Sequence, residues 1–333
     1  MNNKIKATIT GLAVILLVGL YTETKAEETA TRDVAHVGIL QFTAHPALDA
    51  INKGILSELS DAGYILGKNL EVTQLNAQGD QSNLQTMATK LATQKNDVNV
   101  GIATPAAVPL ANSITDKPVV FAASTNPVGA KLVKSMEKPG ANVTGVSDQA
   151  PLPAQLKMIH AFVPELKTLG IIYTSSDDAA STEAKRMDAL AQKAGIATKM
   201  YTISSSNDLN QTAQQLVSNG QVEAIFVPTD NTIAGAFSTL VKQANEAHVP
   251  IFPTVDTMVE SGGVAAVSIN QTEIGRMTGR QIVKILKGQE PKDMPVDFIK
   301  DGQFVVNEKQ MKQLNMKIPA AYSDAKAVKS EAN

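Results

Sequence analysis

The sequence contains no cysteine and no tryptophan, and aromatic residues make up only 4% of its 333 residues. Without cysteine the chain cannot form disulfide bonds, thiolate metal sites or a thiol nucleophile. It has four histidines, and no two of them have the H-x-x-x-H spacing that places a metal-binding pair on one helix face. We therefore expect no metal site and no bound cofactor.

The charges nearly balance. The sequence has 30 Lys and Arg residues and 32 Asp and Glu residues, for a net charge of −2. A nucleic-acid-binding protein usually carries a basic field, so a nucleic-acid partner is not expected. Hydrophobic residues are 43% and charged residues 19%, which is ordinary for a soluble globular protein. The length is sufficient for two hydrophobic cores.

The common enzyme motifs are absent as well. The sequence has no G-x-G-x-x-G, no P-loop and no G-x-S-x-G. The acidic pair Asp177-Asp178 is interpreted as solvated loop charge, because neighbours in sequence do not by themselves form a convergent acid–base pair. No nucleophile with an adjacent base can be identified, and we predict that the protein is not an enzyme.

The N-terminus has the pattern of an export segment. Lys4 and Lys6 precede an apolar stretch over residues 7–21, and a small residue follows at Ala26. As a helix this stretch reaches roughly 22 Å, short of a ~30 Å hydrocarbon core. We predict that residues 1–26 are a signal peptide or an N-terminal anchor and that the protein works at the extracellular face of the cytoplasmic membrane. A lipoprotein is excluded because there is no cysteine to acylate.

From residue 36 onward, β-rich and helix-periodic segments alternate. This alternation predicts a parallel sheet that is covered by helices on both faces. Asp80 has the position and chemistry of an N-cap for the second helix. The predicted strands are 36–42, 69–77, 98–103 and 118–123, the first two helices are 46–64 and 80–95, and a helix is expected after each of the last two strands.

The pattern repeats at a fixed offset of 132 positions. Gly38 corresponds to Gly170, Gly63 to Gly195, and Pro118 to Pro250. The repeat predicts an α/β protein of two Rossmann-like lobes, each with a parallel sheet, and a ligand cleft between the lobes. The expected divisions are lobe one at 35–148, lobe two at 149–270, a segment crossing back to lobe one at 271–310, and a tail at 311–333.

Ligands of open α/β sheets bind beyond the carboxyl ends of the strands. In both lobes these ends are short, polar and turn-prone, and two such ends facing each other form a cleft that can close on a small molecule. The candidate ligand-binding residues are Gln41, Phe42, His45, Thr104, Ser124, Thr125, Asn126, Ser176, Asp178, Ser181, Asp230, Asn231 and Asp256.

Two strand ends in lobe one place a polar residue before a proline. Thr104-Pro105 and Asn126-Pro127 have the pattern of an N-cap followed by proline in the first helical turn. Capping alone explains each site. The functional alternative is that unpaired N–H groups at both helix starts bind an anion, and the absence of Lys and Arg there favours a singly charged carboxylate.

Complementary features occur in lobe two. Asp230 and Asp256 each end an apolar run, where a carboxylate can meet an ammonium group of a ligand, although each is also explained as a helix cap. His45 precedes Pro46 at a helix start, where a neutral imidazole is favoured over a charged one. Phe42 is either an apolar wall of the cleft or part of the core.

Several sequence blocks resemble a known family. They are HPALD…KG…L…GY..GKN, NAQGDQSNL, TPAA, NPVGAKLV, PGANVTGVSD, VPTDNT and GRMTGRQIVKILKGQEP, in that order over roughly residues 35 to 310. Together they resemble the substrate-binding proteins of ABC importers, in the branch of tryptophan and aromatic amino-acid receptors of Gram-positive bacteria. The resemblance implies a type I periplasmic-binding fold, a ligand in the cleft between the lobes and docking onto a membrane permease.

At the level of residues, the resemblance implies lobe-one contacts at Thr104, Ser124, Thr125 and Asn126. It also implies contacts from Asp230 and Asp256. Tryptophan is the first expectation for the ligand, followed by phenylalanine or tyrosine, and the receptor is expected to be a monomer.

Other functions remain open at this stage. The nearest alternative is a receptor for another small solute, such as a nucleoside or an aliphatic amino acid. Sugars fit less well, because sugar clefts commonly use tryptophan platforms. A transcription-regulator core of the same fold is disfavoured by the export segment, which stands where a DNA-binding domain would precede residue 36. An enzyme on this scaffold lacks an identifiable catalytic pair.

Overall fold

The computed structural model describes residues 34–328, which form two α/β lobes. Lobe one contains a six-stranded, all-parallel sheet in the order β11-β5-β4-β3-β1-β2. Its elements up to the first crossover are β1 (Ala35–Gln41), α1 (Pro46–Asp61), β2 (Leu70–Asn76), α2 (Gln81–Thr93), β3 (Val98–Ile102), α3 (Thr104–Ser113), β4 (Val119–Ala122) and β5 (Val143–Ser147).

Lobe two repeats this order in a four-stranded parallel sheet, β7-β6-β8-β9. Its remaining strand, β10, starts a separate three-stranded sheet with two strands from the end of the chain. The elements are α4 (Leu152–Phe162), β6 (Thr168–Thr174), α5 (Asp178–Lys193), β7 (Ala197–Ile203), α6 (Leu209–Val217), β8 (Ala224–Val227), α7 (Asn231–Gly235), α8 (Phe237–Glu246), β9 (Ile251–Pro253), α9 (Asp256–Glu260) and β10 (Ala265–Ser268).

The C-terminal part of the described chain is shared between the lobes. Its elements are α10 (Gln271–Leu286), β11 (Asp297–Phe298), β12 (Gln303–Val306), α11 (Glu308–Gln313) and β13 (Lys326–Ala327). Helix α10 packs on α1, and β11 extends the sheet of lobe one, whereas β12 pairs with β10. Within residues 34–328 the chain therefore crosses between the lobes at 148–151, 269–270 and 299–302. The expected segment 271–310 is thus split between the lobes, and residues 311–328 of the expected tail contain the end of α11 and β13.

The repeat at offset 132 corresponds to equivalent structure. Gly63 follows α1 with φ of 89°, and Gly195 follows α5 with φ of 79°. The residue after each glycine donates an equivalent backbone hydrogen bond, Tyr64 N to Leu59 O in lobe one and Ile196 N to Ala191 O in lobe two. Only glycine adopts this backbone conformation without strain, so the two glycines end equivalent helices in the same way.

Two glycines allow α1 and α10 to approach closely. A Cβ added to Gly275 would lie 2.1 Å from Ile51 O, and one added to Gly54 would lie 2.3 Å from Thr272 O. Arg276 of α10 adds partly exposed ion pairs with Glu58, at 3.1 Å, and Asp61, at 2.9 Å. Exposed pairs contribute only about 0–1 kcal/mol each, so close backbone packing is the main contact that fixes α10 to lobe one.

The helix expected after β4 does not form. Residues 127–130 form a turn, in which Asn126 Oδ1 accepts a hydrogen bond from Gly129 N at 3.0 Å and Asn126 O accepts one from Ala130 N at 2.9 Å. Asn126 therefore caps a turn rather than a helix, and the prediction of a helix N-terminus at this position is wrong. The Asn side chain bonding to the backbone ahead of it favours a turn over a continuing helix.

Within residues 34–328 we find no helix that is both long enough and apolar enough to cross a membrane. The expected export segment at residues 1–26 lies outside the described residues.

Candidate functional site

A cavity lies between the lobes, where the carboxyl ends of the two parallel sheets face each other. In each lobe the chain leaves the sheet in opposite directions from two adjacent central strands, β1 and β3 in lobe one and β6 and β8 in lobe two. Open α/β sheets bind ligands at such switch points. The cavity has a volume of about 20 Å³, enough for one or two water molecules.

Two alanines with unusual backbone angles end the strands on the lobe-one side of the cavity. Ala103 follows β3 with φ of 73°, and Ala123 follows β4 with φ of 60°. Both are buried and both line the cavity. A positive φ costs a residue with a Cβ roughly 1–2 kcal/mol, so both strand ends are held in strained backbone.

The positive φ of Ala103 changes the role of Thr104. Ala103 is the N-cap of α3, Thr104 is its first residue, and no side chain caps this helix end. The prediction that Thr104 is an N-cap is therefore wrong. Its hydroxyl instead lies 3.0 Å from the hydroxyl of Ser124, and Thr104 lines the cavity. The two strand ends are joined to each other through their hydroxyl groups.

His45 and Asn231 connect the lobes directly across the cleft. His45 Nε2 lies 3.1 Å from Asn231 Oδ1, and both residues line the cavity. His45 is only 6% exposed, and its Nδ1 has no hydrogen-bond partner. Burial lowers the pKa of His45, which favours the neutral imidazole. With Asn231 Oδ1 as acceptor, the proton is on Nε2, and Nδ1 presents a lone pair.

Asp230 lines the cavity, but its oxygens are bound by the protein. It is the N-cap of α7 and accepts from Ile233 N at 2.9 Å. It also accepts from Thr174, at 2.6 Å from the backbone N–H and at 2.9 Å from the hydroxyl. Burial raises the pKa of this carboxyl, while the hydrogen bonds oppose that rise. Asp230 therefore has the geometry of a helix cap, the second of the two roles that the sequence allows for it.

Asp256 lies outside the set of residues that line the cavity. Its carboxylate accepts from Thr257 N at 3.0 Å and from Asn270 Nδ2 at 2.8 Å. This links the start of α9 to the crossover before α10. Burial raises its pKa as well.

The cavity is also lined by two carboxylates that the sequence interpretation missed. Asp148, the residue after β5, is 4% exposed and accepts from the Thr125 hydroxyl at 2.9 Å. Asp177 is the N-cap of α5, and its Oδ1 accepts from Ala179 N and Ala180 N, both at 3.0 Å. The interpretation of Asp177 as a solvated loop charge is therefore wrong.

Both of these carboxylates are in an unfavourable electrostatic environment. Burial, followed by the charge of Glu183, raises the pKa of Asp148 to about 7. Burial, followed by the charge of Asp230, raises the pKa of Asp177 to about 7. Among the residues lining the cavity in the described part of the chain there is no Lys or Arg. The site is acidic and favours a cationic group.

Glu183 of α5 lies behind these carboxylates and is 1% exposed. It accepts from Ala150 N at 3.1 Å and from Thr229 N at 2.8 Å. One side chain thereby joins the first crossover to the carboxyl end of β8. Burial raises its pKa, and the two backbone N–H groups oppose the rise.

Three predicted residues of lobe one lie away from the cavity surface. Gln41 is buried, and its Nε2 donates to Thr43 O and Asp49 Oδ1, both at 2.8 Å. Phe42 packs in the core of lobe one, which is the second of its two alternatives. Ser124 lies behind Thr104 and is 0% exposed.

Ser176 and Asp178 are exposed and line an outer groove of about 320 Å³. Thr104, Pro105 and Asp177 line both this groove and the inner cavity, so the two spaces adjoin. Ser181 lies in the first turn of α5, is half-buried and lines neither space. Across residues 34–328 no group of three or more His, Asp and Glu side chains has the geometry to hold a metal ion.

A family model described as ABC transporter substrate binding protein matches residues 36–329. The tyrosine-binding protein of Clostridioides difficile strain R20291 is 33% identical over 307 residues, which cover 92% of this chain and 88% of that protein. An ABC domain from Streptococcus pneumonia in complex with L-Trp is 42% identical, with a TM-score of 0.84, and the match covers 88% of this chain and 99% of that one.

A second solved structure represents a different state. The ligand-free, open structure of a substrate-binding protein with adhesive properties from Clostridium difficile is 35% identical, with a TM-score of 0.70, and the match covers 90% of this chain and 100% of that one. These matches confirm the fold class and the family that the sequence predicts, and the family is one of solute-binding proteins rather than enzymes. The chain belongs to the family of ABC transporter substrate-binding proteins.

Proposed function

We propose that the cleft binds a free aromatic amino acid, tryptophan first and tyrosine or phenylalanine next, and that the lobes close on it. One observation carries the proposal: the cavity lies at the switch points of both sheets, and carboxylates and hydroxyls line it without any Lys or Arg. An amino acid brings an ammonium group for the carboxylates and a single negative charge, which hydroxyls and helix N–H groups can hold.

The apolar part of the cavity wall suits the remainder of such a ligand. Leu48 of lobe one faces the cavity, as do Val255 and Met258 of lobe two. A cavity of about 150 Å³ can hold a benzene ring, and that is several times the space present here. The lobes therefore have to separate for an aromatic side chain to enter, and they close around it less tightly than in the described conformation.

Two relatives support this proposal. One is named a tyrosine-binding protein, and the other contains bound L-Trp. The TM-score of 0.84 to the L-Trp complex exceeds the 0.70 to the open, ligand-free structure, which supports the interpretation of the described conformation as a closed one.

The remaining parts of the proposal concern the partner and the location. We propose that the receptor works outside the cytoplasm as a monomer and delivers its ligand to the permease of an ABC importer. Family membership supports the location, and residues 1–26 have the composition of an export segment or anchor. The contacts proposed for the ligand are His45, Thr104, Thr125 and Asn231, which line the cavity.

Calorimetric titration tests the ligand class. The protein produced from the full-length chain is unfolded and refolded to remove carried-over ligand, and then titrated with each of the twenty amino acids. Submicromolar binding confined to aromatic amino acids is the expected result. Binding of aliphatic amino acids alone would reassign the ligand, and no binding to any amino acid would refute the proposal.

A further inference from the structure

We infer that Asp148 and Asp177, which reach the cavity from opposite lobes, together hold the ammonium group of the ligand, and that this positive charge stabilises the closed state. The inference rests on the proposed function, because it assumes that the ligand is an amino acid. It adds the specificity-determining pair, in place of the Asp230 and Asp256 pair that the sequence favours. It also predicts that analogues without the amino group are rejected.

Asp148 belongs to the lobe-one side of the cavity. It follows β5 directly, and the Thr125 hydroxyl holds its Oδ1 at 2.9 Å. Thr125 follows the neighbouring strand β4, so the carboxylate is positioned by two adjacent strands of the same sheet. Asp148 is also the first residue of a crossover between the lobes.

Asp177 approaches from lobe two. It follows β6 and caps α5, and both of the bonds that position it, from Ala179 N and Ala180 N, go to Oδ1. The N–H groups at the helix start fix the orientation of this carboxylate in the cavity. Asp148 and Asp177 repel each other when both are charged, as the effect of Asp177 on the pKa of Asp148 indicates.

The groups that surround this pair supply almost no compensating positive charge. Glu183 faces both carboxylates, and Asp230 faces Asp177. Arg186 is the cation near Glu183, but it does not line the cavity. In Glu183 and Asp230 both carboxylate oxygens accept hydrogen bonds from other residues. The bonds that position Asp148 and Asp177 go to Oδ1 alone, so these two carboxylates are the ones left for a ligand.

An independent observation at the same cavity points to a ligand that donates hydrogen bonds. His45 lines the cavity, is 6% exposed, and its Nδ1 has no partner. With Asn231 Oδ1 as the acceptor from Nε2–H, the neutral ring has no proton on Nδ1, and Nδ1 is an acceptor. A buried acceptor without a partner is costly, and a ligand N–H would satisfy it. The two carboxylates and this nitrogen form an acceptor set that matches an ammonium group with its three donors.

Closure without a ligand cation brings acidic groups together in a buried space. The pKa values of about 7 for Asp148 and Asp177 mean that, near neutral pH, the empty closed state retains a proton on this pair. An ammonium group between them favours both charged forms, so ligand binding expels that proton. The expected release is about one proton per ligand at pH 7.

Ligand analogues provide the first arm of the test, and it requires no variant. For whichever aromatic amino acid binds, the parent is compared with its deaminated acid, indole-3-propionate or 3-(4-hydroxyphenyl)propionate, and with its decarboxylated amine. The deaminated acid is expected to lose at least about 100-fold in affinity, because two buried carboxylates then lose their counter-charge. Binding of the deaminated acid within about threefold of the parent would overturn the inference while leaving the proposed function intact.

Variants provide the second arm. Asp148→Asn and Asp177→Asn preserve shape and remove charge, and each is expected to lower the affinity for the parent by about 10- to 100-fold. Asp116→Asn is the matched control, because Asp116 is exposed in the loop before β4, at the amino ends of the strands and opposite the cleft. It should bind like the wild type, and circular dichroism checks that every variant is folded.

Proton release gives a readout that a structural role would not change. Titration of the parent amino acid at pH 7 in phosphate and in Tris, whose ionisation enthalpies differ, yields the number of protons released. About one proton is expected for the wild type and for Asp116→Asn, and less for Asp177→Asn. Unchanged proton release in both cavity variants would reject the pair, whereas a complete absence of amino-acid binding would reject the proposed function itself.

Discussion

His45 Nε2 lies 3.1 Å from Asn231 Oδ1, and this contact joins the start of α1 in lobe one to the start of α7 in lobe two. It lies on the wall of the same cavity that Asp148 and Asp177 line. Attraction and repulsion thus act together at the interface: one hydrogen bond favours closure, while the repulsion between the two carboxylates opposes it unless a proton or a cation neutralises the pair.

Removal of the bridging amide should shift the ligand-free protein towards the open state. A hydrogen bond contributes about 0.5–1.5 kcal/mol net, so Asn231→Ala should lower the closed-to-open ratio by about 2- to 10-fold. The chain has no cysteine, so Lys90→Cys and Lys185→Cys, at exposed positions of α2 and α5, can carry spin labels for interlobe distances. Asn210→Ala is the control, because Asn210 accepts its 3.1 Å bond from Gln243 within lobe two. Identical distance distributions in the wild type and in Asn231→Ala would contradict this prediction.

The stability of the ligand-free protein should fall as pH rises towards 7. The pKa values of Asp148 and Asp177 are about 7 in the folded protein, above the ordinary value of 3.8. Between these values the folded state binds more protons than the unfolded state, so the free energy of unfolding decreases with rising pH. His45 acts in the opposite direction below its ordinary value of 6.5, because its pKa is lowered.

A comparison with Asp148→Asn isolates the carboxylate contribution. One pKa unit corresponds to about 1.36 kcal/mol, so between pH 5 and pH 7 the wild type should lose on the order of 1–3 kcal/mol more than the variant. Urea unfolding at several pH values measures the difference. Parallel pH profiles for the two proteins would mean that Asp148 does not titrate as the structure indicates.

Substitution by glycine tests the strained backbone conformation at the strand ends. Ala123 has φ of 60°, so Ala123→Gly removes a steric cost of about 1–2 kcal/mol from the folded state. Glycine also has more conformational freedom in the unfolded chain, which lowers stability by about 0.4–1 kcal/mol. We expect unchanged or slightly higher stability. Ala122→Gly, in the adjacent regular position of β4, has no strain to relieve and should destabilise by about 1 kcal/mol. If thermal unfolding ranks the two variants in the reverse order, the assigned backbone conformation is wrong.

Local sequence patterns predicted the scaffold well because their causes are local. Asp80 was predicted to be an N-cap, and its side chain accepts from Asn83 N in the structure. Gly63 and Gly195 were predicted to be equivalent, and both end a helix with positive φ. Capping and left-handed glycines depend on a few neighbouring residues, so a single sequence contains the necessary information.

The site was harder to predict because its determinants come from distant segments. Asp177 looked like a solvated charge beside Asp178, but it is partly buried and lines a cavity whose other wall comes from residues distant in sequence. Thr104 looked like an N-cap, but the positive φ of Ala103 moves the helix start by one residue, and alanine gives no signal for that conformation. Asp148 directly follows the segment VTGVS, which was not predicted as a strand but forms β5, and its place at that strand end was the available signal that was not used.

The contact between α1 and α10 makes a further prediction about stability. Gly275→Ala would place a Cβ 2.1 Å from Ile51 O, a backbone atom that cannot move without displacing the helix. We expect a loss of about 1–3 kcal/mol in the free energy of unfolding, despite the higher helix propensity of alanine. Gly235→Ala at the end of α7 is the matched control, because no atom lies within 4 Å of its added Cβ. It should be neutral or stabilising by up to about 1 kcal/mol. Equal effects of the two substitutions in urea unfolding would show that α10 is not held to α1 by close backbone packing.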